Sequence, residues 1–234
     1  MMKKLYFVIT ILFFSISSFG QDDVEAIGFS EALKAHLKKY NVQSDIAYNN
    51  NDKQKGQILF DSLVAHHLVG TQFEDYTLKS FEKRKIKLSS FKKPVFILTY
   101  ASWCIPSKGE IPALNKLAQK YAKDVQFVIL FWDKKYQVKK IARKFNHNIT
   151  VCYAHESYKN DALIVAHLKH TLGFPTSYFL DKDLKVVNIK RGGAQPDKKS
   201  SYVKAYTMNY NTFREGLGSL LIDKNITQEQ LTTN

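Results

Sequence analysis

Two stretches of this chain leave it few ways to fold: Val95-Phe96-Ile97-Leu98-Thr99-Tyr100 and Val125-Gln126-Phe127-Val128-Ile129-Leu130-Phe131. A strand with one wet face alternates apolar and polar residues. A nearly continuous apolar run rich in β-formers suits a strand buried on both faces, as in a parallel sheet covered by helices. The segments around them alternate in kind. Glu110 to Tyr121, Lys135 to Phe145 and Asp161 to Leu172 are predicted helical, and Ile149 to Tyr153 is predicted as a third, shorter strand toward the sheet edge. Ser177 to Leu180 and Lys185 to Ile189 flank a tight Asp181-Lys182-Asp183 turn, so they pair antiparallel. Thr212 to Leu221 is predicted as a closing helix. The pattern defines an α/β fold with a central mixed sheet flanked by helices.

The region ahead of this unit is different in texture. Val24 to Tyr40 and Gln57 to Val69 carry helical spacing, with a polar, asparagine-rich loop expected over Asn41 to Lys55. Phe73 to Leu78 and Lys85 to Leu88 read as a short hairpin. The expected layout is a signal peptide over residues 1–20, a helical extension over 21–70, the α/β domain over 71–222 and a C-terminal tail over 223–234.

The signal reading rests on Lys3 and Lys4, an apolar run from Leu5 to Phe14, and Ser18 and Gly20 at the −3 and −1 positions before Gln21. That run is shorter than the ~20 residues a membrane-spanning helix needs. The expectation is therefore an exported protein, most simply periplasmic, that does not span the membrane once the signal is cleaved. Its formal net charge is +14, and removing Lys3 and Lys4 leaves +12. The lysines are dispersed and no nucleic-acid module is present, so nucleic acid is not expected as a partner. An aromatic content of 13% and hydrophobic content of 44% exclude a disordered chain.

Chemistry concentrates in Tyr100-Ala-Ser-Trp-Cys104-Ile-Pro-Ser107-Lys-Gly-Glu110-Ile-Pro112. A cysteine between a buried strand and a helix lies near unpaired N–H groups and the positive helix end, which favour the thiolate. The thiolate is the form that attacks disulfides. This stretch resembles the active-site region of the TlpA/ResA-like thioredoxin-fold family, exported thiol–disulfide oxidoreductases that carry W-C-x-P-C-x-x-E-x-P. Gly173-Phe174-Pro175-Thr176, ahead of a strand, resembles that family's cis-proline loop. The similarity runs over roughly Leu68 to Gly193 and implies a thioredoxin-like fold. It also implies Cys104 as nucleophile, Glu110 as a proton-transfer or tuning group, and Trp103, Pro106, Phe174 and Pro175 as the substrate-facing rim. No cofactor and no metal are expected.

One position departs from the pattern. Ser107 stands where the family has its second cysteine. A serine cannot resolve a mixed disulfide, although it can donate a hydrogen bond to the Cys104 thiolate. Three readings stay open. Cys104 acts alone, forming mixed disulfides with exported proteins or small thiols that an external thiol reductant resolves. Or Cys152, the other cysteine of the chain, resolves from a distance, which requires Cα atoms within ~7 Å. Or the domain is a redox-inactive binding or scaffold module. The bland reading of Cys152 is a small buried hydrophobe. His66-His67 and His167-x-x-His170 have no third ligand placed by the sequence and read as surface histidines. A peroxiredoxin-type cysteine is normally preceded by threonine three residues earlier, and here that residue is Ala101.

Overall fold

The computed structural model describes residues 27–82, 85–104, 106–194, 196–197 and 199–232; the expected signal peptide lies outside them. The described chain runs α1 (Phe29–Asn49), α2 (Lys53–Leu63, continued by a π turn, Val64–Leu68), β1 (Thr77–Ser80), β2 (Ile86–Lys87), β3 (Val95–Tyr100), α3 (Glu110–Lys120) and β4 (Gln126–Phe131). It continues through α4 (Lys135–Ala142), β5 (Ile149–Tyr153), α5 (Ala162–Ile164, continued by a π turn, Val165–Lys169), β6 (Thr176–Leu180), β7 (Val186–Arg191) and α6 (Tyr202–Thr232).

The two apolar runs pair in parallel at the middle of a sheet of order β2-β1-β5-β4-β3-β6-β7, with Val95 opposite Gln126 and Tyr100 opposite Phe131. β5 adds in parallel to β4, while β6 and β7 are antiparallel. Every residue of β3 is buried. Because successive side chains of a strand point to opposite faces, β3 divides its residues between two cores. Val95 and Ile97 join Val128, Leu130, Tyr178 and Cys152 on one face. Phe96, Leu98 and Tyr100 join Phe127, Ile129, Phe131 and Phe179 on the other. Helices α1, α2 and α5 close the first face, and α3, α4 and α6 close the second. The result is the expected thioredoxin-like α/β fold, a mixed sheet flanked by helices with an N-terminal helical extension.

The extension is tied to the sheet at several points. The Phe29 N–H donates to the Gln72 carbonyl at 2.7 Å, and the Phe73 N–H to the Leu184 carbonyl at 2.9 Å. The Phe29 ring lies 5.1 Å from Phe73 and 5.9 Å, edge-on, from Tyr178. The Arg191 guanidinium at the end of β7 lies 4.6 Å from the Phe60 ring and 5.5 Å from the Tyr40 ring, a stacking that holds both helices against the sheet. On the far face, α6 approaches so closely that a Cβ at Gly216 would lie 2.3 Å from the Phe179 ring.

Several expectations are corrected. Asn41 to Lys55 is not a loop: α1 runs on to Asn49 and α2 begins at Lys53. The continuation buries Ser44 and Ala47, small residues that give no apolar signal. The first hairpin strand is Thr77–Ser80 rather than Phe73 to Leu78, although its antiparallel partner includes Ile86 and Lys87 as expected. β5 is not toward the edge, because β1 pairs with it antiparallel and covers it. The closing helix starts at Tyr202, ten residues ahead of the expected Thr212. No helix among the described residues is long and apolar enough to cross a membrane.

If the extension is part of the core, Phe29→Ala removes a fully buried ring from its cluster with Phe73 and Tyr178. We expect a loss of about 3–5 kcal/mol in a urea titration. A loss below about 1 kcal/mol would mean that α1 is only loosely attached.

Candidate functional site

The site forms where the central strands end. The β3 chain leaves the sheet after Tyr100 and turns back at once, with the Cys104 N–H donating to the Ala101 carbonyl at 2.9 Å. The turn is pinned from the end of β4. Asp133 is buried, and its carboxylate accepts from both the Ser102 N–H and the Ser102 hydroxyl, each at 2.6 Å. A buried carboxylate requires such donors, and this turn supplies two. Trp103, 73% exposed, projects outward and meets the Phe174 ring edge-on at 5.5 Å. Phe174 precedes the cis peptide bond to Pro175, immediately ahead of β6. The structure thus brings Trp103 and Phe174, 71 residues apart in sequence, to one rim beside Cys104. Cys104 itself is half-buried, its side chain against the core face shared with α3 and α6.

The second half of the motif is held differently from what the spacing suggests. α3 begins at Glu110, six residues beyond Cys104, so Cys104 lies in a turn and not at the helix end. The influence of a helix dipole falls off within about one turn. Pro112 sits in the first turn of α3, where a missing N–H leaves no hydrogen bond unmade. Gly109 precedes the helix at φ +80°, and a Cβ there would lie 2.8 Å from the Tyr206 backbone. Both the backbone angle and the close approach of α6 demand glycine. Pro106 is half-buried ahead of Ser107.

The Ser107 N–H donates to Glu110 Oε2 at 2.7 Å, and the Glu110 N–H donates back to the Ser107 carbonyl at 3.1 Å. The Ser107 hydroxyl donates to Asn209 Oδ1 at 3.0 Å. That hydroxyl has a single hydrogen, so in this geometry it is directed at α6 and not at the Cys104 sulfur. Glu110 is 5% exposed. Burial pushes its carboxyl up to about 7, against the opposing pull of the Ser107 N–H. Asn209 is a site residue that sequence reasoning missed. The available signal was an asparagine in a helical stretch at four-residue spacing from Ala205 and Phe213, both buried.

Cys152 lies apart from all of this. It is fully buried on the α1/α2 face of the sheet, opposite to the face against which Cys104 packs. Cys152 pairs with Leu130 on β4, which pairs with Thr99 on β3. Thr99 is thus two strand spacings of ~4.8 Å from Cys152, and Cys104, five residues further along the chain, packs on the other side of the sheet, an arrangement that does not suit the Cα separation of a disulfide. Both cysteines are free thiols. Burial pushes the Cys152 thiol up to about 12, as fits an inert packing residue. The histidine pairs are engaged in packing contacts. The His67 ring stacks on His36 at 3.6 Å, and His167 Nδ1 lies 2.8 Å from the Tyr76 hydroxyl. Among the described residues, no group of three or more His, Cys, Asp or Glu side chains is arranged to hold a metal ion.

Residues 69–189, more than half of the sequence, match the AhpC/TSA family, and the chain belongs to that family. The thiol-disulfide oxidoreductase ResA of Bacillus thuringiensis subsp. konkukian is 28% identical over 142 residues, spanning 59% of this chain and 79% of that protein. The thioredoxin-like protein YneN of Bacillus subtilis is 27% identical over 124 residues, 53% of this chain and 71% of its own. Among solved structures, a putative thiol:disulfide interchange protein DsbE from Chlorobium tepidum aligns at 26% identity over 61% of this chain and 97% of that one, with a TM-score of 0.45. The family and the ResA and YneN relatives agree with the TlpA/ResA-like thioredoxin-fold resemblance carried by the motif.

Because the Glu110 pKa is raised on folding from 4.5 to about 7, the folded protein holds a proton in that window that the unfolded chain has lost. The contribution of Glu110 to stability is then greatest below pH 4.5, falls as pH rises toward 7, and levels off above it. The full fall is on the order of 3 kcal/mol. Denaturation midpoints measured across pH 4.5–7.5 should show this slope in the native protein and not in Glu110→Gln; equal slopes in both would contradict the assignment.

Proposed function

We propose that this chain carries out thiol–disulfide exchange outside the cytoplasm with Cys104 as its single working thiol. The observation that carries the reading is the separation of the two cysteines. Cys104 stands half-exposed at a rim built from Trp103 and Phe174, while Cys152 is sealed on the opposite face of the sheet. The relatives named as a thiol-disulfide oxidoreductase and a thioredoxin-like protein support the reaction class. The N-terminal Lys3-Lys4 and the apolar run behind them support export, to the periplasm most simply, with residues 71–222 as the working domain.

The reaction follows from the groups present. The Cys104 thiolate attacks one sulfur of a disulfide R–S–S–R′. A Cys104–S–S–R bond forms, and R′–S⁻ leaves with the electron pair of the broken bond. Ser107 has no sulfur to repeat the attack. A second thiolate, from an exported protein or a small thiol, must attack the mixed disulfide, form a new disulfide with R and return Cys104 as the thiolate. Net oxidation state is conserved across the cycle, so the chain exchanges or isomerises disulfides and consumes no cofactor. Trp103, Pro106, Phe174 and Pro175 supply the rim on which the substrate chain rests. Buried Glu110, titrating near neutrality, is poised to take up or return a proton as thiols enter and leave.

A second reading is favoured by one observation. An indole as exposed as Trp103 is a natural recognition anchor, and a redox-inactive binding module would use the same rim with Cys104 as a bystander.

The two readings separate on Ser107→Cys. Incubated with oxidised glutathione, the native protein should stop as a glutathione adduct of Cys104. Ser107→Cys should go on to an internal disulfide between Cys104 and the introduced thiol and expel glutathione, and Cys104→Ala should give no adduct at all. A native protein that forms no adduct on folded material, like Cys104→Ala, would instead favour the binding module.

A further inference from the structure

The loop after Cys104 is held by one side chain from the far end of the chain. Asn209, on α6, is 102 residues from Ser107 and fully buried. Its Oδ1 accepts from the Ser107 hydroxyl at 3.0 Å. Its Nδ2 donates to the Lys108 carbonyl at 3.1 Å and to the Ala205 carbonyl at 2.9 Å. A side-chain amide offers two donors and two acceptor sites, so both donors and one acceptor site are taken. The neighbouring inward positions of α6 are Ala205, Phe213, Leu217 and Leu220, all buried and apolar. Packing alone would be served there by another apolar residue. A buried amide is costly unless its hydrogen bonds are made, and two of these three go to the loop at residues 107–108. The same loop comes within van der Waals reach of the Tyr206 backbone at Gly109.

We propose that Asn209 is a positioning residue of the thiol-exchange site. It sets the path of the loop that follows Cys104 by gripping Ser107 and Lys108, and it directs the Ser107 hydroxyl toward α6. This rests on the reading of Cys104 as a working thiol and deepens it. Position 107 is an anchored strut, and the nucleophile works without a hydrogen bond from it.

The test uses the full chain carrying Ser107→Cys, in which the loop path is read as the equilibrium between the internal disulfide, formed by Cys104 and the introduced thiol, and glutathione. One disulfide and two glutathione thiols become two protein thiols and one glutathione disulfide. A sulfur at position 107 that is in the disulfide has no hydrogen to give Asn209 Oδ1, so the grip that remains in this background is Nδ2 on the Lys108 carbonyl. Removing it with Asn209→Ala should free the loop backbone beside the disulfide and make the engineered disulfide at least five-fold easier to reduce. Asn209→Asp, which keeps the shape but loses the donor to Lys108, should shift the equilibrium in the same direction and serves if the alanine variant does not fold. Phe213→Leu, a core change on the same helix away from the loop, should leave the constant within two-fold although it lowers the melting temperature. A constant that changes less than five-fold, or that moves toward the disulfide, in the folded Asn209 variants overturns the proposal. So does a shift of similar size in Phe213→Leu, because general loosening would then explain it. A Ser107→Cys protein that forms neither a glutathione adduct nor a disulfide would sink the thiol-exchange reading itself, a failure visible before any Asn209 variant is made.

Discussion

The parallel pairing of β3 with β4, buried on both faces, is the constraint from which the rest follows. Six consecutive residue pairs, from Val95–Gln126 to Tyr100–Phe131, lock the two strands in register. Because a strand sends alternate side chains to opposite faces, a slip of one residue would exchange the contents of the two cores. The same alternation decides the fate of the two thiols. Cys152 falls with Val128 and Leu130 on the α1/α2 face, while the chain leaving β3 delivers Cys104 to the α3/α6 side. On the proposed reading, having one working thiol is therefore a property of the strand register as much as of the serine at position 107.

The second layer of organisation is a set of buried polar groups gathered around residues 102–110. Asp133, Glu110 and Asn209 are each almost wholly removed from water. Each takes hydrogen bonds from the loop around Cys104: Ser102 to Asp133, and Ser107 to both Glu110 and Asn209. Buried polar groups are tolerated when they are bonded and are expensive when they are not. The loop and its three partners therefore specify one another. Sites in sheets of this kind open beyond the carboxyl ends of the strands, and here the ends of β3 and β4 and the start of β6 converge to place Cys104, Asp133, Trp103 and Phe174 together.

What could be read from the sequence divides along physical lines. β3, α3, β4 and β5 were legible because two-sided burial and helical spacing leave strong local patterns, and the cysteine motif with its cis-proline loop was legible as a resemblance. The end of α1 was not, because its buried face there is Ser44 and Ala47 while the large apolar Val42, Ile46 and Tyr48 face solvent among asparagines. The start of α6 was hidden for a related reason. Its inward residues are Ala205 and Asn209, while the large apolar Tyr202 and Val203 face solvent. The covering of β5 by β1 depends on a pairing between residues more than 70 apart, Ser80 with Cys152, which no local pattern records. The anchoring of Ser107 by Asn209 is likewise a long-range contact, and it redirected a hydroxyl that local reasoning had aimed at the thiolate.

The central claim is that the native chain has one exchangeable thiol at its rim and no resolving partner. It is tested most directly by titrating the folded, reduced protein with an aromatic disulfide, 5,5′-dithiobis(2-nitrobenzoate), and comparing the nitrothiolate released with the nitrothiolate retained. A single thiol releases one equivalent and keeps one on Cys104 until an external thiol removes it, and this is the outcome the structure predicts. Release of two equivalents with none retained would mean that a second protein thiol had closed an internal disulfide, which would contradict the strand register and the separation of Cys104 from Cys152.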